Sequence, residues 1–325
     1  MKQDLAPIIL FVYNRPEHTK KTVEGLLTNP EAKDSILYIF ADGPKKNISE
    51  EGLMNLKATR EYIHTIAGFK EIHIDESSVN RGLAPATIRG CSMVLNKHGK
   101  MIFVEDDDVP TPFFLSYINE CLIKYADDPK VWSVCAFMDQ KAIPATNTGD
   151  DVFMVNRPSS WGYGTWKRCW DKIIWDIDDL RGLFRHREVA VGFNKWGGSL
   201  HYDIMKGLLE GKNSSWSIRY HFAAYLNNAS SIYPQKSLIT NTGFDGTGTH
   251  CSDNPDNFKM AFYDRPVAIP EVIKFDEGRN KQYNKYFGPH KLIGRAEVFA
   301  FSHTWASFMP KILWFLKKMV KYNCK

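Results

Sequence analysis

Several common features are missing from this sequence of 325 residues, and each absence removes a class of protein. Its six cysteines, Cys91, Cys121, Cys135, Cys169, Cys251 and Cys324, contain no Cys-x-x-Cys pair. Neither a thiolate zinc site nor a compact disulfide framework is indicated, and a reducing, cytoplasmic setting is expected. No apolar run is long enough to span a bilayer. The early stretch Pro7-Ile8-Ile9-Leu10-Phe11-Val12 is too short for a secretory leader and is followed by no small-residue cleavage site. Charge of one sign is in only mild excess. A formal net charge of +5 lacks the strong basic stripe of nucleic-acid-binding domains, so no nucleic acid is expected as partner, but it suits a polyanionic small molecule or an acidic membrane surface. Internal repeats and low-complexity segments are absent as well. With 43% hydrophobic and 24% charged residues, what is left is an ordinary soluble globular composition, long enough for one large domain or two small ones.

What is present is organised around Lys100-Met101-Ile102-Phe103-Val104-Glu105-Asp106-Asp107-Asp108-Val109-Pro110. A short apolar run rich in branched and aromatic residues reads as a buried strand, and it ends in four carboxylates. Four adjacent acids repel one another and would destabilise a dry strand end, so a positive or well-solvated partner is required there. A hard divalent ion, Mn2+ or Mg2+, is the economical choice, because carboxylate oxygens suit such ions and the ions are usually shared with substrate phosphates. The plainer alternative is a solvated acidic turn. Its position at the C-terminal end of a strand, where open α/β sheets bind ligands, favours the first reading.

The chain around this stretch alternates strand and helix. Ile8 to Tyr13 reads as a first strand and Thr19 to Leu27 as a helix closed by Asn29-Pro30. Ser35 to Ala41 is a second strand, Leu53 to Ala67 a second helix, Ile72 to Asp75 a short third strand, and Asn80 to about Asn96 a helix leading into the acid-tipped strand. This is a parallel β/α layer with polar groups at its strand ends, as nucleotide binding requires. Beyond Pro110 a helix from about Phe113 to Ala126 and a strand Val131 to Cys135 follow. The stretch Arg157 to Lys167 then mixes glycines with large rings, either to lay Trp161, Gly162, Tyr163 and Trp166 against a sugar or to fill the core.

Asp171 to Phe184, Leu200 to Leu209 and Trp216 to Leu226 carry helical patterns. Between them and Cys251 runs Asn241-Thr242-Gly243-Phe244-Asp245-Gly246-Thr247-Gly248-Thr249-His250, whose free backbone and hydroxyl donors suit phosphate or sugar. His250 either completes the metal shell or is structural. From about Asp276 the pattern becomes polar and irregular. Pro310 to Lys325 is apolar on one side and lysine-rich on the other, which describes both an interfacial anchor and a helix docked on its own domain; lysines without intervening acids tip the reading toward peripheral contact with the inner face of a membrane.

Taken in order, these motifs resemble a GT-A fold nucleotide-sugar glycosyltransferase, close to the family 2 group and to the acidic motif of N-acetylglucosaminyltransferase I, over about the first 250 residues. Phe11-Val12-Tyr13-Asn14-Arg15 is similar to the strand end that holds the nucleotide, with Phe11 in place of the usual threonine. Asp42 falls where relatives read the uracil ring, and Asn80-Arg81-Gly82 where a loop precedes the helix whose basic residue, here Arg81 or Arg89, approaches the diphosphate. By the same match Glu105 and Asp106 lie on the nucleotide side, with Asp106 toward the ribose, and Asp107 coordinates the metal together with His250. Trp161-Gly162-Tyr163-Gly164-Thr165-Trp166 resembles an acceptor-side loop.

The resemblance implies a three-layer α/β/α sandwich with a mostly parallel sheet, spanning residues 1–275, with a nucleotide half at 1–110 and an acceptor half at 111–275, followed by a tail at 276–325. It implies an inverting, metal-dependent transfer from a nucleotide-sugar such as a UDP-sugar to a glycan or lipid-linked acceptor, in bacterial surface polysaccharide synthesis. One departure falls on the catalytic base. Relatives carry a carboxylate after the tryptophan where this chain has Trp216-Ser217, and a serine is no base near neutral pH without a neighbour to take its proton. Asp203 is preferred as the substitute, with Asp245 as the alternative. A non-catalytic nucleotide- or glycan-binding relative is the rival reading. A sugar nucleotidyltransferase is a third, weakened because Asn14-Arg15-Pro16-Glu17 is no Gly-rich triphosphate loop.

Overall fold

Strands form where branched and aromatic residues run together, and helices where apolar residues recur every three or four positions. The computed structural model describes residues 4–146, 149–246 and 258–288. In the first part, β1 (Ile8–Val12), α1 (Pro16–Leu27), β2 (Ile36–Ala41), α2 (Glu50–Ile63), β3 (Glu71–Glu76), α3 (Leu83–His98) and β4 (Lys100–Glu105) alternate as expected. A short β5 (Asp108–Pro110) follows the acids, then α4 (Phe114–Lys124), β6 (Val131–Cys135), β7 (Val152–Val155) and β8 (Tyr163–Trp166). Five helices come next: α5 (Lys167–Trp170), α6 (Ile177–Phe184), α7 (Arg187–Gly197), α8 (Ser199–Leu209) and α9 (Ser217–Leu226). The described chain ends with β9 (Ser230–Pro234), β10 (Ile239–Asn241) and α10 (Glu277–Tyr286).

Eight strands make one sheet in the order β3-β2-β1-β4-β8-β6-β9-β7, while β5 and β10 form a separate two-stranded ribbon. The pairs β3–β2, β2–β1, β1–β4 and β6–β9 are parallel, and only β8 and β7 run against the rest. The sheet is therefore mostly parallel and flanked by helices, the α/β sandwich the sequence implies. Because β1 continues to β2 on one side while β4 returns on the other, the chain diverges above the C-terminal ends of β1 and β4. Open α/β sheets bind ligands in the crevice at such a point.

The core is continuous through the middle of the sheet. Ile8, Ile9, Leu10, Met101, Ile102, Phe103 and Val104 are fully buried, and strands hidden on both faces read as unbroken apolar runs for that reason. A second cluster of Leu180, Phe193, Met205, Leu208, Ile218 and Phe222 holds α6 to α9 together.

Three expectations change. The glycine and aromatic stretch 157–167 contains strand β8, paired antiparallel between β4 and β6, because its alternating Tyr163 and Thr165 fit a pleat as well as a loop. The helix expected over Asp171 to Phe184 starts later, where the Asp176 carboxylate caps the Asp178 and Asp179 amides. The polar segment after Asp276 forms α10, capped by the Asp276 side chain on Arg279 N and held by buried Tyr283, whose hydroxyl donates to Tyr233 Oη at 3.3 Å. Residues 310–325 lie outside the described residues, as does His250.

Candidate active site

The four acids turn sharply after β4, and each meets a different partner. Glu105 ends the strand, level with Phe11 of β1. Asp108 turns back into the protein and is fully buried. Its Oδ2 accepts from the Glu105 amide at 3.2 Å and from Gly162 N at 3.1 Å, and its Oδ1 from Asn241 Nδ2 at 3.2 Å. It folds the turn. Antiparallel pairing of β5 with β10 sets Asn241 opposite Asp108 in register, so the loop after β10 arrives beside the acids.

Asp106 and Asp107 face the crevice. One nitrogen of the Arg15 guanidinium, Nη2, donates to Asp106 Oδ1 at 2.7 Å and to Asp107 Oδ2 at 2.5 Å. The cation that the acids require is thus supplied by the residue just before α1. Asp107 Oδ1 also accepts from Asn241 Nδ2 at 3.3 Å, and its carbonyl from Thr242 N at 2.8 Å. Gly243 closes the wall: a Cβ there would stand 2.2 Å from Asp107 Oδ2, so no larger residue fits without moving the carboxylate. From the other side α1 is locked to the turn, with Thr22 Oγ1 donating to the Asp106 carbonyl at 2.8 Å. At Gly25 a Cβ would come within 2.8 Å of the Pro110 carbonyl.

The electrostatics follow from this crowding. Burial, and then the charges of Asp107 and Asp108, push the Glu105 carboxyl well above the ordinary range. Burial lifts Asp106 to about 7 against the pull of the Arg15 guanidinium. Burial also lowers Arg15, but Asp106 and Asp107 more than compensate and hold it above its usual value. Asp108 is raised by burial and by Asp107, against the amides that it accepts from.

At the mouth, Asp245 Oδ2 lies 3.0 Å from His18 Nε2 of α1. The Asp245 side chain is 45% exposed, open to an incoming molecule. Asp203, by contrast, is exposed on α8, in the helical layer beside α6, α7 and α9.

The other residues singled out from the sequence fall into three places. Asp42, at the end of β2, accepts from Gly43 N, Arg81 N and Gly82 N, each at 2.9 Å, and from Asn80 Nδ2 at 3.1 Å. It organises the loop 80–82, in which Gly82 adopts a left-handed φ of 80° at the start of α3. Arg81 is exposed on that loop, and Arg89 is paired with Asp75 at 2.8 Å. Tyr13 accepts from Lys45 N at 3.1 Å, with the Lys45 ammonium over its ring, and Asn14 is half-buried in the bend between Tyr13 and Arg15.

The third place is the interior. Phe11 is buried between Phe40 and Phe103, so its side chain supports the strand and presents no surface to a nucleotide. Tyr163 and Trp166 are buried too, Tyr163 against Phe103 and Trp166 with its indole donating to the Leu122 carbonyl. Of the aromatic stretch only half-buried Trp161 remains at the surface, edge-on to Phe244 of the glycine loop, while Gly162 is buried and donates to Asp108. Sequence reasoning missed His18 and Thr22, and it singled out the loop from Asn241 without giving Asn241 a role of its own. For His18 a signal existed: it lies three residues after Arg15, in the first turn of α1.

Among the described residues no group of three or more histidine, cysteine or carboxylate side chains is placed to hold a metal. With Arg15 between Asp106 and Asp107, these acids do not fit a divalent ion in the arrangement seen.

No family model and no curated protein matches the chain. Among solved structures it is similar to the mannosyltransferase PcManGT from Pyrobaculum calidifontis in complex with GDP-Man and Mn2+, at 11% identity and a TM-score of 0.38, over 70% of this chain and 73% of that one. It is also similar to S. aureus TarS, at 10% identity and a TM-score of 0.38, over 72% of this chain and 36% of that one. A third likeness is to UDP-glucose pyrophosphorylase complexed with UDP-glucose, at 13% identity and a TM-score of 0.31, over 52% of this chain and 79% of that one. Likenesses this distant carry no argument about activity.

Proposed function

We propose that the chain is a nucleotide-sugar glycosyltransferase whose diphosphate end enters the crevice above β1 and β4. The observation that carries this reading is the meeting of Arg15 with Asp106 and Asp107 at the point where the sheet's connections diverge. A guanidinium there can turn its fork to a phosphate. Residues 1–110 would carry the donor, with Tyr13 and the loop held by Asp42 beside the base, and residues 111–275 the acceptor, with Trp161 as the exposed ring.

Transfer is a single displacement with inversion. The acceptor hydroxyl attacks C1 of the donor sugar, the C1–O bond breaks, and its electron pair leaves on the diphosphate. Negative charge grows on the leaving group, and Arg15 is placed to meet it. A carboxylate must take the acceptor proton. Of the two acids named from the sequence, Asp245 stands at the mouth with His18 to orient it, and the proposal assigns it the role ahead of Asp203. Mn2+ or Mg2+ is the proposed cofactor, and it would have to displace Arg15 from Asp106 and Asp107.

The test is a panel of nucleotide-sugars scored for slow hydrolysis and for nucleotide binding by calorimetry. Release of nucleotide diphosphate from one donor is the expected result, and Asp245→Asn should lower turnover while leaving nucleotide affinity alone. Neither binding nor release from any donor would end the reading. Trp216-Ser217, which lacks the expected carboxylate, favours a second reading: a relative that binds nucleotide and transfers nothing. Binding without release would select it. The glycan or lipid-linked acceptor, and membrane contact through residues 310–325, belong to the same proposal. Among the described residues no helix is long and apolar enough to cross a membrane.

A further inference from the structure

Arg15 does more than neutralise its neighbours. Its Nη2 atom touches one oxygen of Asp106 and one of Asp107. A divalent ion bridging the same two oxygens, at about 2.0–2.1 Å for Mg2+, would need that very place. The two cations cannot share it, since like charges so close together repel strongly. The acid pair therefore holds a resident counter-ion, and any metal must first evict it.

The local structure shows which part can move. The Arg15 backbone is pinned at the start of α1: its carbonyl accepts from Thr19 N at 3.0 Å and from Thr19 Oγ1 at 2.9 Å, and Pro16 begins the helix. Asp107 is equally fixed, by Asn241, Thr242 and the close approach of Gly243. The Arg15 side chain is the long, rotatable member of the set, and at 14% it is about as exposed as Asp106 and Asp107, at 13% and 12%. What it lacks is a reason to leave. Moving a guanidinium from two carboxylates into water costs both charge-assisted bonds. A diphosphate offers pairs of anionic oxygens to the same fork and offsets that cost.

We propose that Arg15 acts as a latch on the acid pair: a divalent ion and the Arg15 guanidinium exclude one another at Asp106 and Asp107, and a nucleoside diphosphate releases the latch by giving Arg15 a new partner. Metal and nucleotide then bind in a mutually reinforcing way. The part played by nucleotide rests on the transferase reading above; the exclusion of metal by Arg15 does not.

The experiment measures Mn2+ binding by loss of the free-ion electron paramagnetic resonance signal, first with Mn2+ alone and then with UDP or GDP added. Wild-type protein should bind Mn2+ alone weakly, and Arg15→Gln should bind it about tenfold more tightly or better, a change worth about 1.4 kcal/mol. Arg15→Lys keeps the charge but loses the bridging geometry, and should fall between the two. Added nucleotide should tighten Mn2+ binding in the wild type by a larger factor than in Arg15→Gln. If Arg15→Gln does not fold, by circular dichroism and thermal melting, the ranking of Arg15→Lys against wild type decides the matter.

Equal or weaker Mn2+ affinity in both variants overturns the latch. A wild-type protein that binds neither UDP nor GDP, with or without Mn2+, sinks the transferase reading instead. Tighter Mn2+ binding by Arg15→Gln would still establish the exclusion in that case.

Discussion

Two polar clusters in this molecule treat charge in opposite ways. At the crevice, one nitrogen of Arg15 bridges Asp106 and Asp107, cation against anions. In the helical layer, His201 of α8 and His221 of α9 are buried and joined through Nε2 and Nδ1 at 2.8 Å, near an Arg157 that donates to the Gly197 carbonyl and lies on the Phe287 ring. Burial, and then Arg157, push His221 down to about 3, and the same two causes together with His221 push His201 well below its usual value. The first cluster holds a guanidinium that an anionic ligand could draw away. The second is a neutral brace, because a proton there would sit beside a guanidinium in a dry interior.

The largest expected effect breaks the first cluster. Asp107→Ala removes the carboxylate that Arg15, Asn241 and Gly243 all converge on. Turnover should fall by about a hundredfold or more if it stabilises charge in the transition state. Stability should change far less, since Asp106 still pairs with Arg15. A variant with wild-type turnover would show that the crevice is not where the chemistry occurs. The same substitution leaves the histidine brace untouched, so a large loss of thermal stability would mean that the two clusters are not independent.

The second effect is on pH dependence, and the clusters predict opposite slopes. An imidazole whose pKa is lower in the folded state gives up stability as pH falls from about 6.5, where the unfolded chain takes up a proton, toward its folded value. Each such group costs about 1.4 kcal/mol per pH unit in that window. Asp106, raised to about 7, works the other way, because its contribution is greatest below about 4 and is lost as pH rises toward 7. Between about pH 4.5 and 6.5 the two tendencies offset one another. Urea unfolding of His221→Gln across pH 5 to 7 should uncover a profile with less loss on the acid side. Asp106→Asn should give a profile that climbs more steeply with pH. If His221→Gln retains the wild-type slope, the brace is not held neutral.

How much of this was legible in the sequence depends on range. The parallel layer could be read from Ile8–Val12, Ile36–Ala41 and Lys100–Glu105, because strands buried on both faces declare themselves as apolar runs. The acids at the end of β4 were equally plain. Which cation met them was not, since Arg15 lies more than ninety positions away and either it or a metal satisfies the same rule. Tyr163 and Trp166 were ambiguous for a local reason: glycine-spaced rings suit a sugar platform and a strand alike, and only pairing with β4 and β6 decides. Helix α10 was hidden by its polarity. Tyr283 is its sole buried residue, so no periodic apolar stripe marks it.

A smaller effect is expected at Gly243. Gly243→Ala places a methyl against Asp107 Oδ2, and the carboxylate, the loop or both must shift. Overpacking of this kind costs about 1–3 kcal/mol. It should appear in nucleotide affinity more than in unfolding, because the strain falls on the side of Asp107 that faces the crevice. Unchanged affinity would mean that the glycine loop yields freely and does not hold the acid in place.

The smallest effect falls on the contact between α1 and the acid turn. Thr22 is fully buried, and its hydroxyl donates to the Asp106 carbonyl, tying α1 to the acid turn. Thr22→Val keeps the shape, removes the donor and leaves that carbonyl one partner short, at a cost of about 1 kcal/mol. Were the acid turn held mainly by its own carboxylates, this loss would appear as a lower melting temperature alone. If α1 instead sets the distance between Arg15 and the acids, as Thr22 and the tight Gly25–Pro110 approach argue, Mn2+ binding should rise in the same variant. A loosened helix grips the carboxylates less well with its arginine. A stability loss with unaltered Mn2+ affinity would assign Thr22 to the scaffold and leave Arg15 positioned by its own backbone.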